Sequence, residues 1–352
     1  MSDKRLKIVV AMSGGVDSSV SAMILKDEKY DLAGFYMNLG CGSGVKAKKV
    51  AEKLKIPFFE VDGKNIFRKS VIEYFIEEYK NLRTPNPCVV CNKNIKFGWL
   101  LDTAKKKKID MLATGHYVRV KKDKNGIFHL FAGKDKTKDQ SYFLYRLNQA
   151  QLSHVIFPLG EITKEETKKI ARKNKLPIDV ENESQEICFL GDTDYREFLQ
   201  KNLHKNYFKP GNIVDAKGKI IGQHEGLINY TIGQRKGIDQ ISIKDENKKR
   251  LYVVGFNKKK NELIVGADKD LLKKEVVVGD LSWISADAKE KALKNKNIKA
   301  KIRYRHIAAS CSVKLSGKKL QVTFRVSQRA IVPGQSLVIY SGEEVLGGGV
   351  II

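Results

Sequence analysis

The stretch "KIVVAMSGGVDSSVSAMILKDEKY", Lys7 to Tyr30, decides the fold. Its apolar start, "KIVVAM", reads as a strand buried on both faces, the habit of strands inside parallel sheets. "SSVSAMILKDEKY" reads as the helix that follows. Between them lies a turn rich in glycine and serine, Ala11 to Val20. In an open α/β sheet, ligands bind beyond the carboxyl ends of the strands, so this turn sits where a ligand would bind. Gly14 and Gly15 let the backbone approach a phosphate closely. The loop amides and the helix N-terminus supply donors and a favourable dipole, and Ser13, Ser18 and Ser19 add hydroxyls. Asp17 is unsuited to touching phosphate and suited to holding Mg²⁺ that bridges phosphates. The loop lacks the GK[ST] of a Walker loop and the GxGxxG of a dinucleotide turn. An ordinary capped βα turn would not need two glycines, an aspartate and three serines.

The same alternation continues. "DLAGFYM" and "IPFFEVD" read as strands around a helix, "VKAKKVAEKLK". "IFRKSVIEYFIEEYKNLR" and "NKNIKFGWLLDTAKKK" read as further helices before a strand, "IDMLAT". Strands alternating with helices predict a doubly wound parallel sheet. Met37 and Gly115 fall at two more strand ends and join Ala11, Met12, Ser13, Gly14, Gly15, Val16, Asp17 and Ser18 around one crevice. His116, next to Gly115, is equally well read as a donor to RNA or as a capping residue. After about Leu203 the pattern changes. "GNIVDAKGKIIG" and "RLYVVGFNKKKNELIVGA" read as hairpins, and from about Glu275 period-two strands broken by Gly and Ser predict one or two small β-barrels. We divide the chain at 1–203, 204–274 and 275–352. "RYR", Arg303 to Arg305, is expected to continue the strand of Lys299 and Lys301, and "LGGGV" near the end to form a tight barrel turn.

The 352 residues hold 66 Lys+Arg against 40 Asp+Glu, a formal net charge of +26. Such an excess attracts polyanions, above all nucleic acid, although a generally lysine-rich composition would explain part of it. The sequence has no apolar run long enough to span a bilayer and no signal peptide at its start, so a cytoplasmic protein without membrane attachment is expected. The five cysteines, Cys41, Cys88, Cys91, Cys188 and Cys311, are few and widely spaced, unlike a secreted disulfide framework. Cys88 and Cys91 form a CxxC behind Pro85 and Pro87 at the start of a helix. A helix N-terminus favours thiolate, so both are expected to be nucleophilic. Cys188 lies in a polar, loop-forming stretch in which Ser184 and Gln185 read as shaping the loop.

Seven motifs together carry a resemblance: "SGGVDSS", "RTPNPCVVCNKNIKFG", "ATGHY", "KDQSYFL", "ICFLGD", "GQHEGLINYTIGQRKG" and "VPGQSLVIYSGEEVLGGGVI". The first resembles the loop of the PP-loop ATP pyrophosphatases. The full set, running in order along essentially the whole chain, resembles the tRNA-specific 2-thiouridylases. That resemblance implies a Rossmann-like parallel sheet of the adenine nucleotide α-hydrolase kind, then two small β-rich domains, the last a barrel. It implies that ATP, with Mg²⁺, adenylates O2 of the wobble uridine (position 34) and that a persulfide sulfur then displaces AMP. Cys91 matches the family's nucleophile and Cys188 the persulfide carrier. Asn86, Pro87 and Cys88 match the segment that meets the base. Lys138, Asp139 and Gln140 match a tRNA-contacting segment, and Arg303, Tyr304 and Gln335 match contacts of the last barrel. An upstream persulfide sulfur-carrier protein and a monomeric state are also implied.

The chain departs from the family at two places. Cys88 stands where well-known members have an aspartate with an acid/base role. The segment after Met37 looks short, and its Cys41 has no family role. Cys88, Cys91 and Cys188 together supply three thiolates, the number that holds a [4Fe–4S] cluster with one open iron, an alternative to a plain Cys91/Cys188 persulfide pair. Structural zinc would need a fourth ligand. Two other functions fit parts of the sequence: a PP-loop ligase acting on a small molecule, and a non-catalytic tRNA-binding paralogue.

Overall fold

The computed structural model describes residues 5–28, 30–181, 187–238 and 250–352. Ser184 and Gln185 lie outside them. The first segment builds a five-stranded, all-parallel sheet in the order β3-β2-β1-β4-β7. Its strands are β1 (Lys7–Ala11), β2 (Asp31–Asn38), β3 (Phe58–Asp62), β4 (Met111–Ala113) and β7 (Val155–Ile156). Alternate residues of β1 face opposite ways. Ile8 and Val10 enter a core shared with α1 (Val16–Asp27) and α2 (Val45–Leu54). Val9 enters the core on the other face, against Phe35, Phe97 and Leu100. Each of these valines is fully buried, which stabilises the fold by roughly 1.5–3 kcal/mol per side chain. The chain order reverses across β1, so the carboxyl ends of β1, β2 and β4 surround one crevice.

Two helical runs cover the Val9 face. The first comprises α3 (Lys64–Phe67), a π-helical turn at 68–72 and α4 (Glu73–Lys80). The second starts at α5 (Pro87–Cys91), continues as a π-helical stretch at 92–100 and ends in α6 (Leu101–Lys106). Asn86 caps the second run by accepting from Val89 N at 3.4 Å, and Pro87 fills its first position, where no N–H is needed. On the opposite face, α8 (Lys164–Lys173) opens with a Thr163/Glu166 capping box. Short α7 (Gln149–Leu152) precedes β7, and α9 (Tyr195–Asn202) leads out of the segment.

A hairpin inside the first segment, β5 (Val118–Lys122) with β6 (Phe128–Ala132), leaves the parallel sheet and pairs with the last strand of the chain. The central segment forms a four-stranded sheet, ordered β10-β11-β8-β9, from β8 (Gly211–Val214), β9 (Ile220–His224), β10 (Tyr252–Asn257) and β11 (Glu262–Gly266). Both expected hairpins are present, the first with Gly218 at φ +84° in its Lys-Gly turn. The last segment closes six antiparallel strands into a barrel: β12 (Leu272–Trp283), β13 (Ile298–Lys301), β14 (Ala309–Ser316), β15 (Lys319–Arg329), β16 (Ser336–Ser341) and β17 (Glu344–Ile351). Helix α10 (Ala286–Lys294) packs against it.

Two sequence expectations are corrected here. "LGGGV" is not a turn. Gly347 to Gly349 lie inside β17, which pairs with β16 on one side and β12 on the other and so closes the barrel. A Cβ on Gly348 would collide with the Leu337 carbonyl, so the glycines permit close strand approach. Nor does "RYR" extend a strand. β13 ends at Lys301, and a bond from His306 N to Arg303 O (3.1 Å) closes a turn. His306 Nε2 meets Gln328 Oε1 at 2.9 Å and fixes that turn on β15. Gly348→Ala is expected to destabilise the protein by about 1–3 kcal/mol, read as a lower urea midpoint in far-UV circular dichroism.

Candidate active site

At the carboxyl edge of the parallel sheet an open cleft of about 520 Å³ joins the phosphate loop to four cysteines. Ala11, Met12, Ser13, Asp17, Ser18, Met37, Gly115, Pro87, Cys88, Cys91, His116, Gln140 and Cys188 all line it. Sequence reasoning had proposed each of these. Cys41 and Lys96 line it too, without having been anticipated as site residues.

The loop prepares an anion site. No side chain caps α1, whose N-cap is Gly15. Ser18 and Ser19 instead donate to the Gly15 carbonyl at 3.2 and 2.8 Å, which shapes the turn and leaves the helix N-terminus for a ligand. Ser13 N donates to Ser18 Oγ at 3.1 Å. Gly115 touches this turn from the next strand end: a Cβ there would lie 2.7 Å from the Asp17 carbonyl carbon and 2.8 Å from Ser18 N.

Asp17 is already engaged. Its Oδ1 accepts from Lys164 Nζ and from the Tyr117 hydroxyl, both at 2.7 Å. Lys164 is buried at the start of α8, a partner that no local sequence pattern announces. Asp17 is the one carboxylate among the described residues lining the cleft. With its charge balanced by Lys164, it does not make a resident metal site, and Mg²⁺ would enter with the phosphates of its nucleotide. Among the described residues, no three His, Cys, Asp or Glu side chains converge to hold a metal ion, so the thiols do not fit an iron–sulfur cluster as they stand.

The cysteines differ sharply. Cys91 is buried against Phe67, Val71 and Ile95. Burial pushes its thiol up to about 12, although the nearby Lys96 cation pulls the other way. Cys88 is exposed to the cleft, yet the surrounding walls desolvate it and its thiol is also raised. Burial thus works against the thiolate that a helix N-terminus would favour in this pair. Cys188 behaves oppositely. The neighbouring Cys41 thiol, helped by Lys96 and by main-chain donors, brings its thiol down to about 7. Phe189 anchors this segment in an aromatic cluster with Phe67, Phe75 and Phe198 at 5.2–5.9 Å between ring centres. All five cysteines are free, and Cys311 lies in the barrel core.

His116 is buried, and its Nδ1 meets Thr114 Oγ1 at 2.7 Å. Burial, with Lys96, holds it neutral, well below the usual imidazole range. The remaining sequence-derived residues hold the protein together around the cleft. Gln140 Oε1 accepts from Tyr117 N at 3.0 Å. Asp139 is buried, accepts from Gly133 N and Ser141 N at 3.2 and 3.0 Å, and lies 3.7 Å from Lys301 of the barrel. Lys138 is half-buried beside it. Arg303 donates to the Arg329 carbonyl at 3.1 Å, and Tyr304 packs on Phe143 with ring centres 4.4 Å apart. Gln335 Nε2 donates to the Thr84 and Pro85 carbonyls at 2.9 and 3.2 Å, which ties the barrel to the cysteine loop.

A parallel α/β sheet with this serine- and glycine-rich loop at its carboxyl edge belongs to the ATP-utilising PP-loop class. Comparison with known proteins makes the family specific. Residues 6–192 match the model of the tRNA methyl transferase HUP domain, 196–267 that of the tRNA methyl transferase PRC-barrel domain, and 273–351 that of the aminomethyltransferase beta-barrel domain. A tRNA-specific 2-thiouridylase MnmA of Geobacter metallireducens is 42% identical, covering 98% of this chain and 96% of its own. MnmA 1 of Caldanaerobacter subterraneus subsp. tengcongensis is 43% identical over 98% of this chain and 97% of its own. MnmA of Carboxydothermus hydrogenoformans is 42% identical over 99% and 98%. The chain belongs to the tRNA-specific 2-thiouridylase family.

The thiol environments predict an order of reactivity. Iodoacetamide at neutral pH should label Cys188 well before Cys91, with the Cys188 rate rising through a midpoint near 7. Lys96→Gln should move that midpoint upward, because losing a nearby cation disfavours the thiolate. Peptide mass spectrometry after timed alkylation reads both.

Proposed function

We propose that the protein is an ATP-dependent tRNA uridine 2-sulfurtransferase that forms 2-thiouridine at the wobble position. The observation that supports this best is that a phosphate loop and Cys188, a thiol with a lowered pKa, line one and the same cleft. In this reading ATP lies along residues 11–18, Met37 and Gly115, with its phosphates over the N-terminus of α1. Lys164 balances Asp17 there and keeps a bare carboxylate from repelling them.

The chemistry follows from what each group can do. Oxygen O2 of uracil is a poor leaving group. Attack of O2 on the α-phosphorus releases pyrophosphate and leaves AMP attached, a good leaving group. The outer sulfur of a Cys188 persulfide then attacks C2 and AMP departs, which leaves the base joined to Cys188 through an S–S bond. A thiolate attacking the Cys188 sulfur breaks that bond, frees the 2-thio group and leaves a protein disulfide that a dithiol reductant returns to two thiols. Cys91 is the second working thiol. Since it is buried and protonated at rest, the incoming nucleotide must displace part of its cover, an induced-fit step. Cys88, a cleft-exposed thiol where relatives use a carboxylate, meets the base together with Pro87 and His116. Neutral His116 can donate or accept a hydrogen bond without adding charge. Asn86, Lys138, Asp139, Gln140, Arg303, Tyr304 and Gln335 bear on the tRNA mainly by fixing the loops around it.

The net charge of +26 suits a tRNA backbone. We assign ATP binding and catalysis to 1–203 and tRNA holding to 204–274 and 275–352. The chain acts as a monomer in the cytoplasm and takes sulfur from a carrier protein that bears a persulfide. No helix among the described residues is long and apolar enough to cross a membrane.

Incubation with unmodified tRNA, ATP, Mg²⁺ and a persulfide donor should yield 2-thiouridine, with AMP and pyrophosphate in equal amounts. Nucleoside mass spectrometry detects the product. AMP formation that depends on an amino acid or ammonia and ignores tRNA would point to a small-molecule ligase instead. The tRNA affinity should fall linearly in log–log form with salt, with a slope steeper than about −3, as for an interface neutralising several phosphates. A slope near zero in a filter-binding titration would remove the role given to the charge.

A further inference from the structure

The motif "GQHEGLINYTIGQRKG" takes no part in the reaction above, yet its first half builds a second pocket. This pocket, of about 280 Å³, opens at the seam between the end of α4 and the central segment. Leu227 and Ile228 of the motif, with Tyr79 of α4, are buried and give it an apolar floor. The same motif holds the rim. Gly226, at φ +115°, lies so close to the 3₁₀ turn Lys205–Phe208 that a Cβ on it would come within 2.8 Å of Phe208 Cα. Buried His224 accepts from Gly226 N through Nδ1 at 2.9 Å, so its Nε2 carries the proton and donates to the Asn261 carbonyl at 3.1 Å. Asn261 Nδ2 donates in turn to the Lys209 and Pro210 carbonyls at 3.3 and 2.8 Å. One imidazole thereby fixes the β10–β11 turn and, through it, the segment that follows Tyr207.

Three lysines from three parts of the chain, Lys80, Lys209 and Lys258, line this pocket, and no carboxylate does among the described residues. Glu77, which pairs with Lys80 at 3.1 Å, stays outside it. Tyr207 is 42% exposed, with Lys80 Nζ 5.7 Å from its ring centre. An exposed ring is a platform on which a nucleobase stacks, and lysines beside it neutralise the attached phosphate. A merely solvated lysine face would need neither the apolar floor nor the exposed ring. The pocket is also near the active cleft: the chain from Leu82, which lines the one, to Cys88, which lines the other, spans at most about 20 Å. A few nucleotides of an RNA strand cover such a distance.

We propose that this pocket binds one unstacked nucleotide of the tRNA, a few nucleotides along the strand from the base in the cleft, with its base on Tyr207 and its phosphate among Lys80, Lys209 and Lys258. This rests on the reading of the protein as a tRNA-modifying enzyme and gives that reading a second point of grip. A strand held here and in the cleft keeps the wobble base in place while ATP and sulfur act on it. Because every base has a flat face, the pocket adds affinity and register without reading sequence.

Unmodified tRNA is titrated onto the full chain by filter binding at several salt concentrations. The complex is then irradiated with ultraviolet light, digested with nuclease and protease, and the adduct located by mass spectrometry. A nucleotide adduct is expected on the peptide that contains Tyr207. Tyr207→Ala should weaken tRNA binding about 10-fold, whereas Tyr207→Phe, which keeps the ring, should bind as the wild type does. Lys209→Gln and Lys258→Gln should each weaken binding and make the salt slope shallower by about 1. All three positions are exposed, and an unchanged urea midpoint shows that the variants have folded. Unchanged affinity in Tyr207→Ala overturns the proposal, and so does an equal loss in Tyr207→Phe. A Tyr207 adduct with free UMP that excess tRNA fails to compete away overturns it as well. Formation of 2-thiouridine by the wild type, measured alongside, separates the two claims. If it proceeds while Tyr207→Ala binds normally, only the pocket's role falls; a Tyr207 adduct with tRNA but no 2-thiouridine from any sulfur source supports the pocket and removes the sulfurtransferase assignment.

Discussion

The loop from Arg83 to Pro87 is held from three directions, and the geometry of the cleft depends on that hold. Thr84 N donates to the Pro333 carbonyl at 2.9 Å, and Gln335 returns two bonds to Thr84 and Pro85. Thr84 Oγ1 meets Thr231 Oγ1 of the central segment at 3.0 Å. Arg83 pairs with the buried Glu78 of the helix below. Each bond contributes only about 1 kcal/mol net. Together they fix a stretch that has two prolines and few main-chain donors of its own. The position of Cys88 and Cys91 opposite the phosphate loop is therefore set by the barrel and the central sheet as well as by the domain that contains them. The β5–β6 hairpin, which leaves the first segment to join β17, strengthens the same union.

Within the cleft, burial and one cation decide which sulfur can react. A helix N-terminus favours a thiolate, but that effect is modest beside the cost of placing a charge among Phe67, Val71 and Ile95. Cys91 thus rests protonated. Cys188 is exposed in the cleft and its thiol is pulled down beside Cys41 and Lys96, so it is the sulfur that carries charge most readily. The phosphate loop shows the same economy of charge: Asp17 is matched by Lys164 before any ligand arrives.

The sheet and the phosphate loop were legible because their signals are local. Residues 8–12 are continuously apolar because β1 is covered on both faces, and the two glycines and three serines after it shape an anion-binding turn. The central hairpins were legible for the same reason. What escaped the sequence was set by contacts distant along the chain. Nothing near Asp17 indicates Lys164, and nothing near Cys188 indicates Cys41. The alternation of "NIKAKIRYR" could not show that His306 would bond Gln328 and end the strand at Lys301. The glycines of "LGGGV" look like a turn because the sequence does not reveal a strand pinched between two neighbours.

The central claim is that activation of the base and delivery of sulfur occur in one cleft but depend on different groups. A single-turnover experiment with Cys188→Ala, ATP and unmodified tRNA separates them. The account predicts a burst approaching one pyrophosphate per chain with no 2-thiouridine formed, since the phosphate loop is intact and the sulfur carrier is gone. Full thiolation by this variant from a persulfide donor would contradict the account, as would the loss of the pyrophosphate burst from a chain that still binds ATP and tRNA.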